Sequence, residues 1–357
     1  MVSIGLCMIV RDEEATLARC LDSVCGIVDE VVVVDTGSTD RTREIAARYG
    51  QVCEFTWCDD FSAARNFAFA QARSDYLLWL DADDVVPQDS RTAFLALKAQ
   101  LADEPADVVM LPYHTAFDEA GKPTFVYYRE RLLRRAAGFV WQGAVHECIT
   151  PRGRVIYGAA AVEHRRVKPA DSERNLAIYR KQLAAGVTLD TRGQFYYARE
   201  LLAHRDWQAA EQAFRAFLER PDGWSENRIE ALRGLSDCLA AQSRTDEARQ
   251  ALVRTFAIDL PRGETCCALA ALDCAENRFD RAKFWYETAL RVPCPTENGG
   301  FVQPEHYGYT PCLGLCLCCD RLGLYDEAEA WNERAAAYHP DSEAVAYNRH
   351  YFAQRAR

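Results

Sequence analysis

The sequence has neither a long apolar run nor an excess of basic residues, and these absences argue against two broad classes of protein. No segment of the 357 residues approaches the roughly 20 uncharged apolar residues that a membrane-spanning helix requires. Lys and Arg together number 42, whereas Asp and Glu number 53, so the formal net charge is −11. A nucleic-acid-binding protein needs a basic surface to displace counterions from phosphates. We therefore expect neither a membrane span nor a nucleic-acid partner.

Targeting and metal-binding signatures are also missing. The opening residues MVSIGLCMIV lack the basic lead-in and the A-x-A-like cleavage site of a signal peptide, and Arg11 and Asp12 follow directly. We interpret them as a first strand and expect a cytoplasmic, reducing environment. The 15 cysteines do not form the ladder of paired cysteines that structural zinc sites use. Six of them lie in helix-like stretches, where we expect small apolar residues: Cys266, Cys267, Cys312, Cys316, Cys318 and Cys319.

Strand and helix patterns alternate in the first half of the chain. The β-branched run EVVVVD at 30–35 is typical of a parallel strand covered on both faces, and DYLLWLD at 75–81 reads as a later strand of the same sheet. Helical patterns lie at 13–25, from about 40 to 49 and at 62–73. This alternation predicts an α/β domain with a mostly parallel sheet, in which ligands bind beyond the carboxyl ends of the strands.

From about residue 107 the pattern becomes β-rich. Residues 107–117 and 122–135 read as two strands joined by the turn DEAGK, and 139–149 suggest another strand. We interpret this region as a β flap beside the parallel sheet, with a domain boundary near 169–172.

The second half is helical and repeats itself. Four segments of the type RTDEARQAL align with an alanine in a common column, at spacings of 38, 34 and 46 residues, and a proline follows each by 11 to 13 residues. A recurring small residue with a proline after each second helix indicates tetratricopeptide-like helix pairs, which stack into a concave surface suited to peptides. The aligned alanines are Ala210, Ala248, Ala282 and Ala328, and the prolines are Pro221, Pro261, Pro293 and Pro340.

The stretch LLWLDADD at 77–84 places clustered carboxylates at the end of an apolar strand. In an extended chain Asp81 and Asp83 would point to one side, and two such carboxylates suit Mg²⁺ or Mn²⁺. A calcium loop is excluded because Val86 and Thr92 stand where it needs Gly and Glu. A phosphatase with an aspartate nucleophile remains an alternative, although its motif usually lies on the first strand. Asp84 would point the other way and is assigned a structural role.

Three further polar residues could bind a ligand. Asp35 ends the valine strand and could hold a ribose, but the GxGxxG of a dinucleotide-binding fold is absent after the first strand, so a redox cofactor is not expected. Asp35 could instead bind a base or only cap the turn that follows. Arg65 and Asn66 lie on the helix before the DxD strand, where an arginine suits a pyrophosphate or a surface salt bridge.

Taken together, the segments MIVRDEE, VVVVDTGSTDRT, WCDDFSAARNFA and WLDADD resemble family 2 glycosyltransferases of the GT-A fold. More narrowly, the chain is similar to the subgroup with a tetratricopeptide tail, which includes the sublancin-type peptide S-glycosyltransferases. The resemblance is strong over about residues 1–90 and looser to about 180. It implies a Rossmann-like α/β GT-A domain at 1–168, a connecting helix at 169–193 and all-α repeats at 194–357.

The resemblance also implies a set of site residues. Asp83 and His164 would ligate the metal, Mn²⁺ or Mg²⁺, and Glu147 would act as general base with His146 beside it. This chain has Asp12 where the subgroup commonly has Asn. The nucleotide-sugar pocket would be lined by Asp12, Glu14, Asp35, Gly37, Arg65, Asn66 and Asp81.

These assignments predict an inverting, metal-dependent transfer of a sugar from a nucleotide sugar, expected to be a UDP-sugar. The expected acceptor is a peptide or protein held by the repeats, and a saccharide acceptor is left open. Two alternatives are a non-catalytic repeat scaffold and a metal-dependent phosphatase. The sequence does not choose the sugar or the acceptor atom.

Overall fold

The computed structural model describes residues 2–117, 121, 123–167, 172–295, 300 and 302–355. The chain divides into two compact units, Met1–Thr188 and Leu189–Arg357. The predicted order, an α/β unit followed by an all-α unit, is confirmed. The predicted domain limits at 168 and 193 stay predictions, and residues 168–171 lie outside the described part. No helix in the described part of the chain has the length and apolar character needed to cross a membrane.

The first unit is built on one nine-stranded mixed sheet with the strand order β3-β2-β1-β4-β7-β6-β9-β5, and β8 pairs with β6. Its strands are β1 (Ile4–Val10), β2 (Glu30–Asp35), β3 (Gln51–Glu54), β4 (Tyr76–Trp79), β5 (Asp84–Val85), β6 (Val108–Phe117), β7 (Pro123–Arg134), β8 (Val155–Tyr157) and β9 (Val162–His164). Its helices are α1 (Leu17–Ser23), α2 (Thr42–Ala46), α3 (Phe61–Gln71), α4 (Ser90–Asp103) and α5 (Ser172–Ala184).

Both faces of this sheet are covered. Apolar residues of α1 and α4 pack on one face, and those of α3 pack on the other. The core strands therefore need apolar residues on both sides, which is why the valine run of β2 is continuous and not alternating. Strands β3, β2, β1 and β4 are parallel neighbours, so their carboxyl ends meet at one edge.

The β-rich region differs from the prediction in one way. The hairpin β6–β7 lies beside the parallel strands, as predicted, and β7 joins them by pairing antiparallel with β4. The strand predicted at 139–149 is wrong, since these residues form a loop with a single bridge between Gln142 and Cys148. Positive φ angles at Gly143 and His146 turn the chain there and prevent an extended run. The predicted turn at 118–122 lies largely outside the described residues.

The second unit is a series of antiparallel helix pairs. Its helices are α6 (Thr191–Ala203), α7 (Trp207–Leu218), α8 (Ser225–Ala241), α9 (Thr245–Arg254), α10 (Gly263–Ala275), α11 (Phe279–Ala289), α12 (Tyr309–Arg321), α13 (Tyr325–Tyr338) and α14 (Glu343–Arg355). The four aligned alanines lie in α7, α9, α11 and α13 and are completely buried. The six cysteines of α10 and α12 expected to be apolar are buried as free thiols.

The four helix pairs share one turn. In each, the second residue after the first helix has a left-handed backbone, with φ of 57°, 61°, 57° and 79° at Arg205, Ser243, Asn277 and Gly323. The next residue donates its N–H to a carbonyl five residues earlier, over 2.8–3.0 Å. This geometry satisfies carbonyls at the helix end that would otherwise lack partners.

Candidate functional site

The acidic segment after β4 is a tight turn. The N–H of Asp84 donates to the carbonyl oxygen of Asp81 over 3.0 Å, so the chain reverses between them. The extended-chain argument for Asp81 and Asp83 was therefore wrong in its geometry, because the two side chains diverge within a turn. Asp81 contacts Arg65, and Asp83 lies beside His164.

Asp84 anchors this turn from inside the protein. Its Oδ2 lies 2.9 Å from Nη1 of Arg131, and both side chains are fully buried. The hydroxyl of Tyr113 donates to Asp84 Oδ1 over 2.8 Å, and the N–H of Asp81 donates to Oδ2 over 3.0 Å. The guanidinium of Arg131 stacks on Trp79 at 3.8 Å. Asp84 is thus held from several directions, in agreement with its predicted structural role.

Asp83 and His164 form a candidate cation site. Strand β5 pairs with β9 so that Asp84 and His164 are register partners, which brings His164 Nδ1 to 3.5 Å from Asp83 Oδ1. Ligand atoms of Asp83, Asp84 and His164 lie within 4.8 Å of one another. Asp84 is already paired with Arg131. The side chains of this group that can bind a cation are therefore those of Asp83 and His164. They are 23% and 21% exposed.

The electrostatics of this pair suit a cation. Burial and the neighbouring carboxylates of Asp81 and Asp84 raise the pKa of Asp83, although His164 opposes that shift. The hydrogen bond with Asp84 raises the pKa of His164, and Asp83 adds to this effect. The carboxylates of Asp81 and Asp84 repel the negative charge of Asp83, so a positive charge here would relieve that repulsion.

Arg65 joins two other predicted site residues. Its Nε donates to Glu147 Oε1 and its Nη2 donates to Asp81 Oδ1, each over 2.7 Å. The guanidinium packs against the rings of Trp79 and Trp141, at 5.2 and 4.8 Å. Burial raises the pKa of Asp81, but Arg65 and Arg131 outweigh it and lower that pKa to about 2. Asp81 is therefore a permanent carboxylate.

Glu147 lies on the loop 138–150, which is hydrogen-bonded to Asn66 of α3. The side-chain amide of Asn66 accepts from the N–H of Trp141 over 2.8 Å and donates to the carbonyl of Trp141 over 3.0 Å. The N–H of Phe61 donates to the carbonyl of Ala144 over 2.9 Å. Asn66, predicted to line the nucleotide pocket, thus holds the loop. The half-buried His146 precedes Glu147 in a left-handed conformation.

The remaining predicted residues form a second group at the carboxyl ends of β1 and β2. Asp12 Oδ1 accepts from the N–H of Thr39 over 2.7 Å, which lowers the pKa of Asp12. The Nε of Arg41 donates to Glu14 over 3.1 Å. The buried Asp35 accepts from the N–H groups of Gly37 and Ser38, over 3.2 and 3.1 Å. These carboxylates organise the loop 36–41. Their predicted contacts with a nucleotide stay predictions.

Sequence reasoning missed the arginines of β7. Arg131 neutralises Asp84, and Arg129 lies 4.9 Å from the ring of Trp79. The pairing of β6 with β7 slips at this point, which leaves Arg131 as an extra residue between Glu130 and Leu132. Such bulges often redirect a side chain beside an active site. The signal was present, because the strand sequence YYRERLLRR places charges inside a buried sheet just as LLWLDADD does.

Comparison with known proteins finds a family match for a segment that contains Arg65, Asp83 and Glu147 but ends before His164. Residues 6–152 match the sequence profile of Glycosyl transferase family 2. A TPR repeat-containing protein of Synechococcus elongatus is 42% identical over 151 residues, which cover 42% of this chain and 36% of that protein. The SPbeta prophage-derived glycosyltransferase SunS of Bacillus subtilis is 29% identical over 149 residues, covering 39% of this chain and 33% of SunS. The match thus spans about a third of the length of these curated relatives.

Solved structures resemble the chain more distantly. S. aureus TarS 1-349 in complex with UDP is 16% identical and has a TM-score of 0.38, covering 79% of this chain and 91% of that one. MamA is 17% identical with a TM-score of 0.37, covering 47% of this chain and 88% of that one. TM-scores below 0.5 assign neither a ligand nor an activity.

Proposed function

We propose that the protein is a metal-dependent inverting glycosyltransferase, because residues 6–152 match Glycosyl transferase family 2. The donor is a nucleotide sugar, a UDP-sugar in the first instance, and the acceptor is a peptide or protein bound by the helical repeats. The observation that carries the proposal is the meeting of Asp83 with His164 beside the Arg65–Glu147–Asp81 group, at the carboxyl edge of the sheet.

The charges of the site fit a divalent cation. Four carboxylates face two guanidinium groups, so with a neutral His164 the group has two negative charges in surplus: Asp81, Asp83, Asp84 and Glu147 against Arg65 and Arg131. Asp83 and His164 would hold the ion, and a mixed oxygen and imidazole set favours Mn²⁺ over Mg²⁺. When bound, such an ion offsets the negative charge that develops on a departing nucleoside diphosphate.

Glu147 is the proposed general base. Its side chain is 12% exposed and its carboxylate is fixed by the short ion pair with Arg65. In the proposed reaction the acceptor oxygen or sulfur forms a bond to the anomeric carbon, the bond from that carbon to the phosphate oxygen breaks, and the acceptor proton moves to Glu147. Attack opposite the leaving group inverts the sugar carbon. A general base typically contributes about 10²–10⁴-fold.

The helical unit supplies the proposed acceptor surface. Stacked helix pairs of this kind form a concave surface, and such surfaces bind extended or helical peptide segments. A peptide acceptor therefore suits this unit better than a free monosaccharide would.

One assay tests the proposed donor, metal and acceptor together. The purified chain is incubated with UDP-sugars and a peptide library, with Mn²⁺ or with a chelator, and transfer is followed by intact mass. We expect Mn²⁺-dependent addition of one sugar mass. Asp83→Ala should lower the rate by about 100-fold or more, since a bound cation contributes several kcal/mol to the transition state.

Asp89→Ala is the matched control, because this exposed carboxylate lies six residues away in the same region. Equal transfer with and without the chelator would contradict the metal dependence. Release of phosphate from simple phosphoesters, without sugar transfer, would favour a phosphatase instead.

A further inference from the structure

Three arginines surround the indole ring of Trp79, and they differ sharply in exposure. The guanidinium carbons of Arg65, Arg129 and Arg131 lie 5.2, 4.9 and 3.8 Å from the ring centre. Their side chains are 10%, 28% and 0% exposed. A ligand that approaches this edge of the sheet therefore meets mainly one of the three groups.

The guanidinium of Arg65 is already bound to other side chains. Two of its donor nitrogens already bind carboxylates at 2.7 Å, and two tryptophan rings pack against its guanidinium. Turning it toward a phosphate would leave the largely buried carboxylate of Glu147, and also that of Asp81, without its cation, which is costly. The geometry makes Arg65 a positioning residue that fixes these two carboxylates. Arg131 is likewise committed to the buried Asp84.

Arg129 is held differently. Its Nε and Nη2 bind the two oxygens of Glu130 over 3.2 and 3.1 Å, which uses one edge of the guanidinium and fixes its plane. Nη1 lies on the other edge, on the more exposed side chain of the three. Asp81 is an electrostatic neighbour of Arg129, and Tyr127 forms a side-chain hydrogen bond with Arg129. The ring of Tyr127 packs on Tyr113 at 5.5 Å, so Arg129 is linked to the residues around the acidic turn.

We propose that Arg129 is the residue that binds the diphosphate of the donor. It keeps its pair with Glu130 and donates from Nη1 to a phosphate oxygen. Asp83 and His164 would hold the cation, which would offset further negative charge of the diphosphate. Arginine suits this role because its planar group can hold one carboxylate and still donate to a phosphate. This inference rests on the proposed function, and it moves diphosphate binding from Arg65 to Arg129.

The test measures binding by the full chain of UDP and of uridine, each with Mn²⁺, by calorimetry. Arg129→Met should raise the Kd for UDP by about 10- to 100-fold, the range expected for losing a hydrogen bond to a charged group. The Kd for uridine should stay within about twofold, because uridine has no phosphate. Arg129→Lys should give an intermediate Kd for UDP, since lysine keeps the charge but loses the planar donor group.

Arg134→Met is the matched control, because Arg134 lies on the same strand and pairs with Asp107 on the surface. It should leave both Kd values unchanged. An unchanged Kd for UDP in Arg129→Met, with wild-type binding intact, would overturn the assignment of Arg129 alone. If the wild-type chain binds none of UDP, GDP and dTDP, the proposed function fails and this inference fails with it.

Discussion

Asp83 and Asp84 are neighbours in the chain but have opposite surroundings. Asp83 is partly exposed beside a histidine, whereas Asp84 is fully buried and paired with the fully buried Arg131. A carboxylate in the first setting is available to a ligand. One in the second setting maintains the fold.

This contrast predicts different effects of the same substitution. Asp84→Asn should lower the free energy of unfolding by about 3–5 kcal/mol, because it leaves the Arg131 guanidinium buried without a counter-charge. Asp83→Asn should change it by less than about 1 kcal/mol, since it removes a carboxylate that its neighbours repel. Urea unfolding of the two variants measures the difference. Similar losses in both would contradict the division of roles.

The candidate cation site should depend on pH through His164. The hydrogen bond with Asp84 raises the pKa of His164 above its ordinary value of 6.5. This protonated pair contributes stability to the cation-free protein at low pH, and the contribution is lost as the pH rises through the raised pKa. A bound cation needs neutral imidazole, so its affinity should change in the opposite direction.

We therefore expect the Kd for Mn²⁺ to rise about tenfold for each pH unit below the pKa of His164, as one proton competes with one ion. Calorimetric titration between pH 6 and 9 tests this. His164→Asn should weaken binding and flatten the pH profile, whereas His350→Asn, on the exposed side of α14, should do neither. A profile unchanged in His164→Asn would exclude the histidine as a ligand.

The sequence indicated where the acidic segment lies but not that it forms a turn. A parallel strand that is buried on both faces requires a run of apolar residues such as valine and leucine. Acidic residues that follow such a run therefore mark the edge of a parallel sheet. The divergence of Asp81 and Asp83 depends on Arg65, 16 residues away, and on the pairing of β5 with β9. The charges in YYRERLLRR indicated a buried charged group, but the partner of Arg131 could not be assigned because it lies on a strand 47 residues earlier. Such long-range contacts leave no periodic signal.

At the scale of elements, the repeats were the most predictable part of the chain. A buried alanine column and a following proline are local requirements of a packed helix pair, and all four alanines are fully buried. The β hairpin was predicted as two strands, but its insertion beside β4 was not, because pairing between distant strands is decided by packing and not by local pattern.

The turn that the four helix pairs share predicts how two substitutions change the free energy of unfolding. Three of the four turns place a non-glycine residue in the left-handed region, where a side chain costs free energy that glycine avoids. Ser243→Gly should therefore raise the free energy of unfolding by about 0.5–1 kcal/mol, and Gly323→Ala should lower it by about 1 kcal/mol.

Chemical denaturation with a helical readout measures both variants. Gly186→Ala lies in a left-handed turn of the first unit and serves as a reference for the cost of the same change outside the repeats. Stabilisation by Gly323→Ala, or no gain in Ser243→Gly, would contradict the argument from the turn backbone.

In the whole molecule, donor and cation binding are proposed for one compact unit and acceptor binding for the other. All residues of the candidate donor and cation site precede Thr188, and the helix pairs follow Leu189. Donor binding should therefore stabilise the first unit, and changes in the buried alanine column should affect the second.

Calorimetric unfolding of the full chain tests this separation. We expect two transitions, and saturating UDP with Mn²⁺ should raise only one of them, because a ligand at about 100 times its Kd adds about 2.7 kcal/mol to the state that binds it. Ala282→Leu should lower only the other, by about 2–12 °C, since extra methylenes at a fully buried alanine cost about 1–3 kcal/mol. Joint movement of both transitions in either experiment would mean that the two units unfold as one, and donor binding would then be coupled to the repeats through stability.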